Sequence, residues 1–184
     1  MNDKEMREPL FNYLENTQEK LRIFEELAIR KSIADVVVVK ENTLTGIEIK
    51  SDCDTYARLA TQIKDYDHFF DYNYIAVGKS HIRQAHKHIP PKWGIICIYN
   101  KDSGSVAVEE VRKPQQNTHT KVKYQIKLLW RLELNNILAK NNLPKYKQKS
   151  KLFVKQKILE KLPEDVLKQN LCYELFERDY TLLY

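Results

Sequence analysis

Glycine is scarce: Gly46, Gly78, Gly94 and Gly104 are the only four among 184 residues, against a usual share of about 7%. No G-x-G-x-x-G and no G-x-x-x-x-G-K-[ST] occurs. Nucleotide binding that relies on backbone amides of a glycine loop is therefore disfavoured. Cysteine is also sparse. Cys53, Cys97 and Cys172 are isolated and odd in number, which argues against a disulfide framework or a structural zinc. Long apolar runs are missing too. The longest is about five residues, far short of the roughly 20 a membrane-spanning helix needs. Met1–Leu10 is polar and charged, with no apolar signal core. These absences lead to the expectation of a reducing, cytoplasmic setting and no membrane partner.

The sequence is 42% hydrophobic and 30% charged, as expected of a globular domain with a core of its own. The net charge of +6 is unevenly spread. Residues 112–161 carry 14 Lys and Arg against only Glu133 and Glu160, a local charge of +12, while the remainder is −6. An acidic body joined to a basic segment fits a polyanionic partner, and equally a lysine-rich solvated face.

The apolar pattern predicts a short helix over residues 4–15 and a second from a cap at Asn16-Thr17 to about Ile29. The second rests on Leu21, Phe24, Leu27 and Ala28 at helical spacing. Ile33–Val39 and Leu44–Lys50 read as two strands of a hairpin, turning at Glu41-Asn42-Thr43. A helix over about 55–70, capped by Ser51–Asp54, presents Leu59, Ile63, Tyr66 and Phe70. Strands at 74–78, 93–99 and 106–111 follow, with a helix at 81–88 stopped by Pro90-Pro91. Together these predict an α/β fold with a mixed central sheet flanked by helices. From Thr120 only helical patterns remain, including one long helix through Ile126, Leu129, Trp130, Ile137 and Leu138. The expected division is therefore an α/β core over 1–111 and a basic helical region over 112–184 packed on that core, with residues 112–120 as a polar linker. The tail aromatics Tyr173, Phe176, Tyr180 and Tyr184 read either as core packing or as a homodimer face.

The stretch from Asp35 to Lys50 carries the chemistry. Asp35 interrupts a run of Ile, Ala and Val, and Glu48-Ile49-Lys50 alternates charge with isoleucine. In a strand, Glu48 and Lys50 share one face while Ile47 and Ile49 take the other. A hairpin brings Asp35 beside that face. Two adjacent carboxylates repel and need a proton or a cation between them. Mg²⁺ suits such a site, since it takes one or two carboxylates and keeps several waters. A solvent-facing strand pair, or a structural salt bridge from Asp35 to Lys50, is the plain alternative. His81, His86 and His88 form no H-E-x-x-H motif and read as a basic turn near DNA rather than a metal site.

Acid on one strand and Glu-x-Lys on the next resembles the PD-(D/E)XK nuclease superfamily, over roughly residues 15–100. The run from Glu48 through Ser51, Asp52, Cys53, Asp54 and Thr55, followed by Arg58, Leu59, Gln62 and Tyr66, is similar to a small bacterial and phage branch of it. A helical tail opening on a Leu-Trp-Arg-x-Glu stretch follows in that branch; here that is Leu129–Glu133. The resemblance implies a restriction-endonuclease-like fold and Mg²⁺-dependent (or Mn²⁺-dependent) phosphodiester hydrolysis, with DNA a better substrate than RNA. It implies Asp35, Glu48 and the Ile49 carbonyl as metal ligands, and Glu26 or Glu25 as a further acid on a preceding helix. Glu26 is favoured of the two. Lys50 would position water, and Gln62 and Tyr66 would support the site. Many sequences of the branch carry an Arg two positions before the motif Asp, where this chain has Ile33. The basic tail, with Lys121, Lys123, Lys127, Lys145, Lys147, Lys149 and Lys151, would hold phosphates without reading bases. A non-catalytic nucleic-acid- or protein-binding module on the same fold, with a host–phage or defence role, is the competing expectation.

Overall fold

The structure is a computed structural model and describes residues 1–17 and 19–183; Tyr184 of the aromatic tail lies outside them. The core elements are α1 (Asp3–Glu15), β1 (Arg22–Ile29), β2 (Ser32–Val39), β3 (Leu44–Lys50), α2 (Leu59–Phe69), β4 (Tyr72–Gly78), α3 (Ile82–His88), β5 (Gly94–Asn100) and β6 (Val106–Arg112). They are followed by α4 (Val122–Gln125), a 3-10 turn, α5 (Arg131–Lys140), α6 (Lys151–Lys161) and α7 (Glu164–Phe176).

The six strands lie in chain order in one sheet. β1, β2 and β3 form an antiparallel meander, β3, β4 and β5 run parallel, and β6 returns antiparallel. Parallel neighbours require crossovers, and α2 and α3 supply them. Both crossovers cover one face, where Leu59, Tyr66, Phe70, Ala85 and Ile89 pack on Val37, Val39, Ile75 and Val77. On the other face α1 sets Met6 and Leu10 against Val36, Val38, Ile47, Ile49, Ala76 and Ile96. With both faces covered, the central strands are nearly continuous runs of buried residues. Gly46 serves this packing, because a Cβ there would come within 2.2 Å of the Phe70 ring.

The expected α/β architecture is present, with three differences in its elements. Residues 22–29 form strand β1, not a helix. Phe24, Leu27 and Ala28 fit helical spacing, but β2 offers an unpaired edge, and ladder pairing from Arg22–Val39 to Ile29–Ser32 satisfies the backbone of both. The helix expected from residue 55 begins only at Leu59. Asp54 accepts instead from the Ser51 amide (2.9 Å) and hydroxyl (2.6 Å), closing a tight loop. The long helix expected through Ile126–Leu138 is broken at Leu129 and Trp130, which are extended, and restarts with the Glu133 carboxylate accepting from the Trp130 amide at 2.6 Å.

The C-terminal helices do not form a separate core. Val122, Ile126, Leu129, Leu138, Val154 and Leu171 join the same apolar cluster as Phe24, Val37 and Trp93. The segment 112–120 is not a free linker either. Asn117 is buried and donates to the Asp67 and Phe70 carbonyls, both at 2.8 Å. Among the described residues, no helix is long and apolar enough to cross a membrane.

Candidate metal centre

Asp35 belongs to the set 35, 37, 39 of β2, and Glu48 and Lys50 to the set 44, 46, 48, 50 of β3. Val37, Val39 and Leu44 face α2, so these three polar side chains share that face. The β2–β3 register runs from Val39–Leu44 to Val36–Ile47, and its next step sets Asp35 opposite Glu48. Gln62 and Tyr66, one turn apart on α2, lie above them.

Glu48 has 0% exposure and Lys50 8%. Glu48 Oε1 accepts from Lys50 Nζ and from Gln62 Nε2. Glu48 Oε2 and Gln62 Oε1 are buried with no partner among the described residues. A carboxylate oxygen in that state is costly, and sites that keep such an atom usually supply a ligand for it. Asp35 is half-buried. Its Oδ2 accepts from the Ile49 amide at 2.7 Å, and no hydrogen bond reaches Oδ1 among the described residues. Burial first, then the neighbouring Glu48 charge, push the Asp35 carboxyl up to about 7, against the opposing effects of the Ile49 amide and Lys50. Tyr66 joins the two strands: its hydroxyl accepts from the Asp35 amide at 3.2 Å and donates to the Ile47 carbonyl at 3.3 Å. Burial and the charges of Glu48 and Asp35 raise it well above an ordinary phenol, so it remains protonated.

The sequence thus placed Asp35, Glu48, Lys50, Gln62 and Tyr66 together, and the structure brings these five to one point. Glu26 does not join them. It lies on strand β1 rather than a helix, with a positive φ of 54° and a side chain 73% exposed, and Arg7 is 3.8 Å from its Oε1. Glu25 is turned away as well, with its Oε2 2.9 Å from Arg7 Nη1. Among the described residues no group of three or more His, Cys, Asp and Glu is arranged to hold a metal ion. What remains is a pair of carboxylates, which suffices for Mg²⁺ with most of its waters retained. Glu48 Oε2 is the buried atom of this pair left without a partner among the described residues. Arg7 went unnoticed in the sequence. From α1 its Nη1 donates to the Asp35 carbonyl at 3.4 Å, so a guanidinium stands near Asp35 although Ile33 is apolar and 56% exposed.

The seven lysines of the basic tail are all exposed. Lys123 and Lys127 flank the Tyr124 ring at 5.2 and 5.3 Å. Lys155, which the sequence reading did not single out, is half-buried close to Lys151 and Lys127. Burial and then their like charge lower its pKa. Tyr124 meets the His68 ring edge-on at 4.9 Å, and Arg30 Nη1 lies 3.5 Å from His68 Nδ1. Arg30 sits in the β1–β2 turn, just before the strand that carries Asp35. Cationic side chains therefore run from α6 across α4 to Arg30, whose Nε lies 3.7 Å from Asp65. Lys145, Lys147 and Lys149 occupy the loop before α6, whose carbonyls at Tyr146 and Lys149 accept from Arg131 at 2.9 and 2.6 Å.

Fold and site together define a mixed α/β protein with two carboxylates and a lysine set at the antiparallel hairpin that feeds its parallel strands. The chain belongs to the bacteriophage P4 protein cII family, whose model it matches over residues 1–181. No curated protein matches it. Among solved structures, Pyrococcus furiosus SfsA in complex with Ca²⁺ is similar at 14% identity and a TM-score of 0.34. The match covers 61% of either chain, so this chain spans about three fifths of that protein's length.

Proposed function

We propose that the protein is a metal-dependent nuclease that hydrolyses phosphodiester bonds, with DNA the better substrate. The observation that carries this reading is the buried Glu48 with one oxygen unpartnered, on the same sheet face as Asp35 and Lys50. Asp35 and Glu48 would hold Mg²⁺, or Mn²⁺, with the Ile49 carbonyl as a further ligand. A divalent cation bound there supplies Lewis-acid stabilisation of phosphate charge and an acidified water. Lys50, which pairs with Glu48 Oε1 and leaves Oε2 without a partner among the described residues, would orient the attacking water and offset charge developing on the phosphate. Gln62 keeps Glu48 in place, and Tyr66 holds β2 and β3 in register beneath it. The band from Lys123 to Lys155 receives the sugar–phosphate backbone without reading bases.

The competing reading, a non-catalytic binding module, draws support from the Lys50–Glu48 ion pair, which closes one carboxylate oxygen without any metal. One assay separates the two. Purified protein is incubated with plasmid, linear and single-stranded DNA and with RNA, in Mg²⁺, Mn²⁺ or EDTA, beside Asp35→Ala and Lys50→Ala. The nuclease reading expects cleavage that needs the metal and falls at least a hundredfold in both variants. Cleavage that survives both substitutions refutes the site, and binding without cleavage in every condition favours the module.

A further inference from the structure

Tyr56, His81 and His88 form a stacked group beside the candidate centre. Tyr56 and His88 lie face to face, with ring centroids 4.1 Å apart and planes 19° apart. His81 meets Tyr56 edge-on at 5.3 Å and 90°. The group sits at the C-terminal ends of β3 and β4. Lys50, the last residue of β3, pairs with Val77 of β4. Tyr56 follows in the short loop that Asp54 closes onto Ser51. His81 donates its amide to the Gly78 carbonyl, where β4 stops, at 3.1 Å.

Tyr56 packs against the core, but core packing does not account for His88 stacked on its ring. His88 is exposed and His81 only half-buried, so the outer face of the stack meets solvent. The Tyr56 hydroxyl is buried with no partner among the described residues. A metal role is no better, since two imidazoles engaged with one phenol ring leave no third ligating side chain among the described residues. Charges of both signs lie nearby in sequence: Asp52 and Asp54 are held by Ser80 and Ser51, while Arg58, Arg83 and Lys87 are exposed and in no ion pair among the described residues.

We propose that the Tyr56–His88 stack is a platform for an unpaired base, at the same end of β3 and β4 as Lys50 of the candidate centre. The inference rests on the nuclease reading and deepens it by naming the substrate class: a single strand, or an end with unpaired nucleotides. A flat ring pair with one open face takes any base by stacking, and the nearby cations take the flanking phosphates. A paired base inside a duplex has no free face to offer.

The test uses the full chain, with Ca²⁺ in place of Mg²⁺ to hold back cleavage. The probes are a single-stranded oligodeoxynucleotide carrying one 2-aminopurine, and the same sequence as a blunt duplex. The expected result is quenching of the probe base on the single strand and weaker binding of the duplex. His88→Ala should bind the single strand about tenfold more weakly and lose the quenching, while His88→Phe, which keeps a stacking ring, restores both. Quenching and affinity unchanged in His88→Ala, or a blunt duplex bound as tightly as the single strand, overturns the platform. The two failures are distinguishable. If Asp35→Ala and Lys50→Ala abolish cleavage while His88→Ala quenches normally, only the platform is wrong. If cleavage survives Asp35→Ala and Lys50→Ala, the site at Asp35 and Glu48 falls, and if no condition gives cleavage, the nuclease reading falls, whatever His88→Ala does.

Discussion

Asp35 carries its carboxyl in surroundings that favour the proton, and this has a consequence for stability. Its folded value near 7 lies above the ordinary carboxylate value of 3.8. The stabilisation is therefore complete below about pH 4 and is lost as pH rises through 7. In metal-free protein, Asp35→Asn should be more stable than the wild type at pH 8, by up to about 4 kcal/mol, and should lose the advantage by pH 4. Urea denaturation in EDTA across that range measures it, and a constant difference between the two proteins would show that Asp35 is not the titrating group. Gly46 gives a second test at this scale. Gly46→Ala forces a methyl into the Phe70 ring and should cost about 1–3 kcal/mol in the same assay. Most of the site was legible at the residue scale because strand alternation is strict. Once Asp35 interrupts one apolar strand and Glu48 and Lys50 alternate on the next, a hairpin can bring them to a common face, and the Val36–Ile47 register does so. Glu26 and Glu25 were not legible, since their assignment depended on a helix that does not form.

The elements show where local pattern yields to pairing. Arg22–Ile29 satisfies a helical template, yet it forms a strand because β2 would otherwise be an open edge. No local signal in those eight residues separates the two outcomes. The Leu129–Glu133 stretch is the converse case, where the sequence showed a distinctive run without its purpose. Leu129 enters the core, and Trp130 lies 4.1 Å from the Arg178 guanidinium. Glu133 accepts from the same guanidinium at 2.6 and 2.8 Å, and Arg131 fixes the lysine loop. Leu132, the variable position of the run, is exposed. Arg178 also donates to the Leu128 carbonyl at 2.7 Å, while Arg22 of β1 donates to the Phe176 carbonyl at 2.6 Å. This clamp ties the C-terminal helices to the edge of the sheet. Removing one partner strands a buried charge, so Arg178→Ala or Glu133→Ala should each cost about 3–5 kcal/mol. Replacing both with apolar residues should recover much of that loss, and a single-variant cost under about 1 kcal/mol would show that the clamp is not holding the tail.

Across the whole molecule, the uneven charge noted in the sequence takes a definite shape. The carboxylate pair lies in the sheet core, and a cationic band that includes Lys123, Lys127, Lys151 and Lys155 lies on the C-terminal helices. Neutralising those four to Gln should weaken single-stranded DNA binding and reduce the slope of log affinity against log salt by about three. An unchanged slope would make the band a solvated surface only. The shared core of the two segments also implies that the band and the hairpin keep a fixed relation. A sequence can show that the charges are there, but not that residues 30, 68, 124 and 155 adjoin, because that depends on how α4 and α6 dock.

The central claim is that Asp35 and Glu48 hold a divalent cation, and Mn²⁺ binding followed by calorimetry or electron paramagnetic resonance tests it without any substrate. The expected result is a single Mn²⁺ site in the wild type that Mg²⁺ displaces. Glu48→Gln and Asp35→Asn should each weaken it at least tenfold, while Glu26→Gln leaves it unchanged. A protein that binds no Mn²⁺ at millimolar concentration, or binds it equally well without Glu48, would contradict the account.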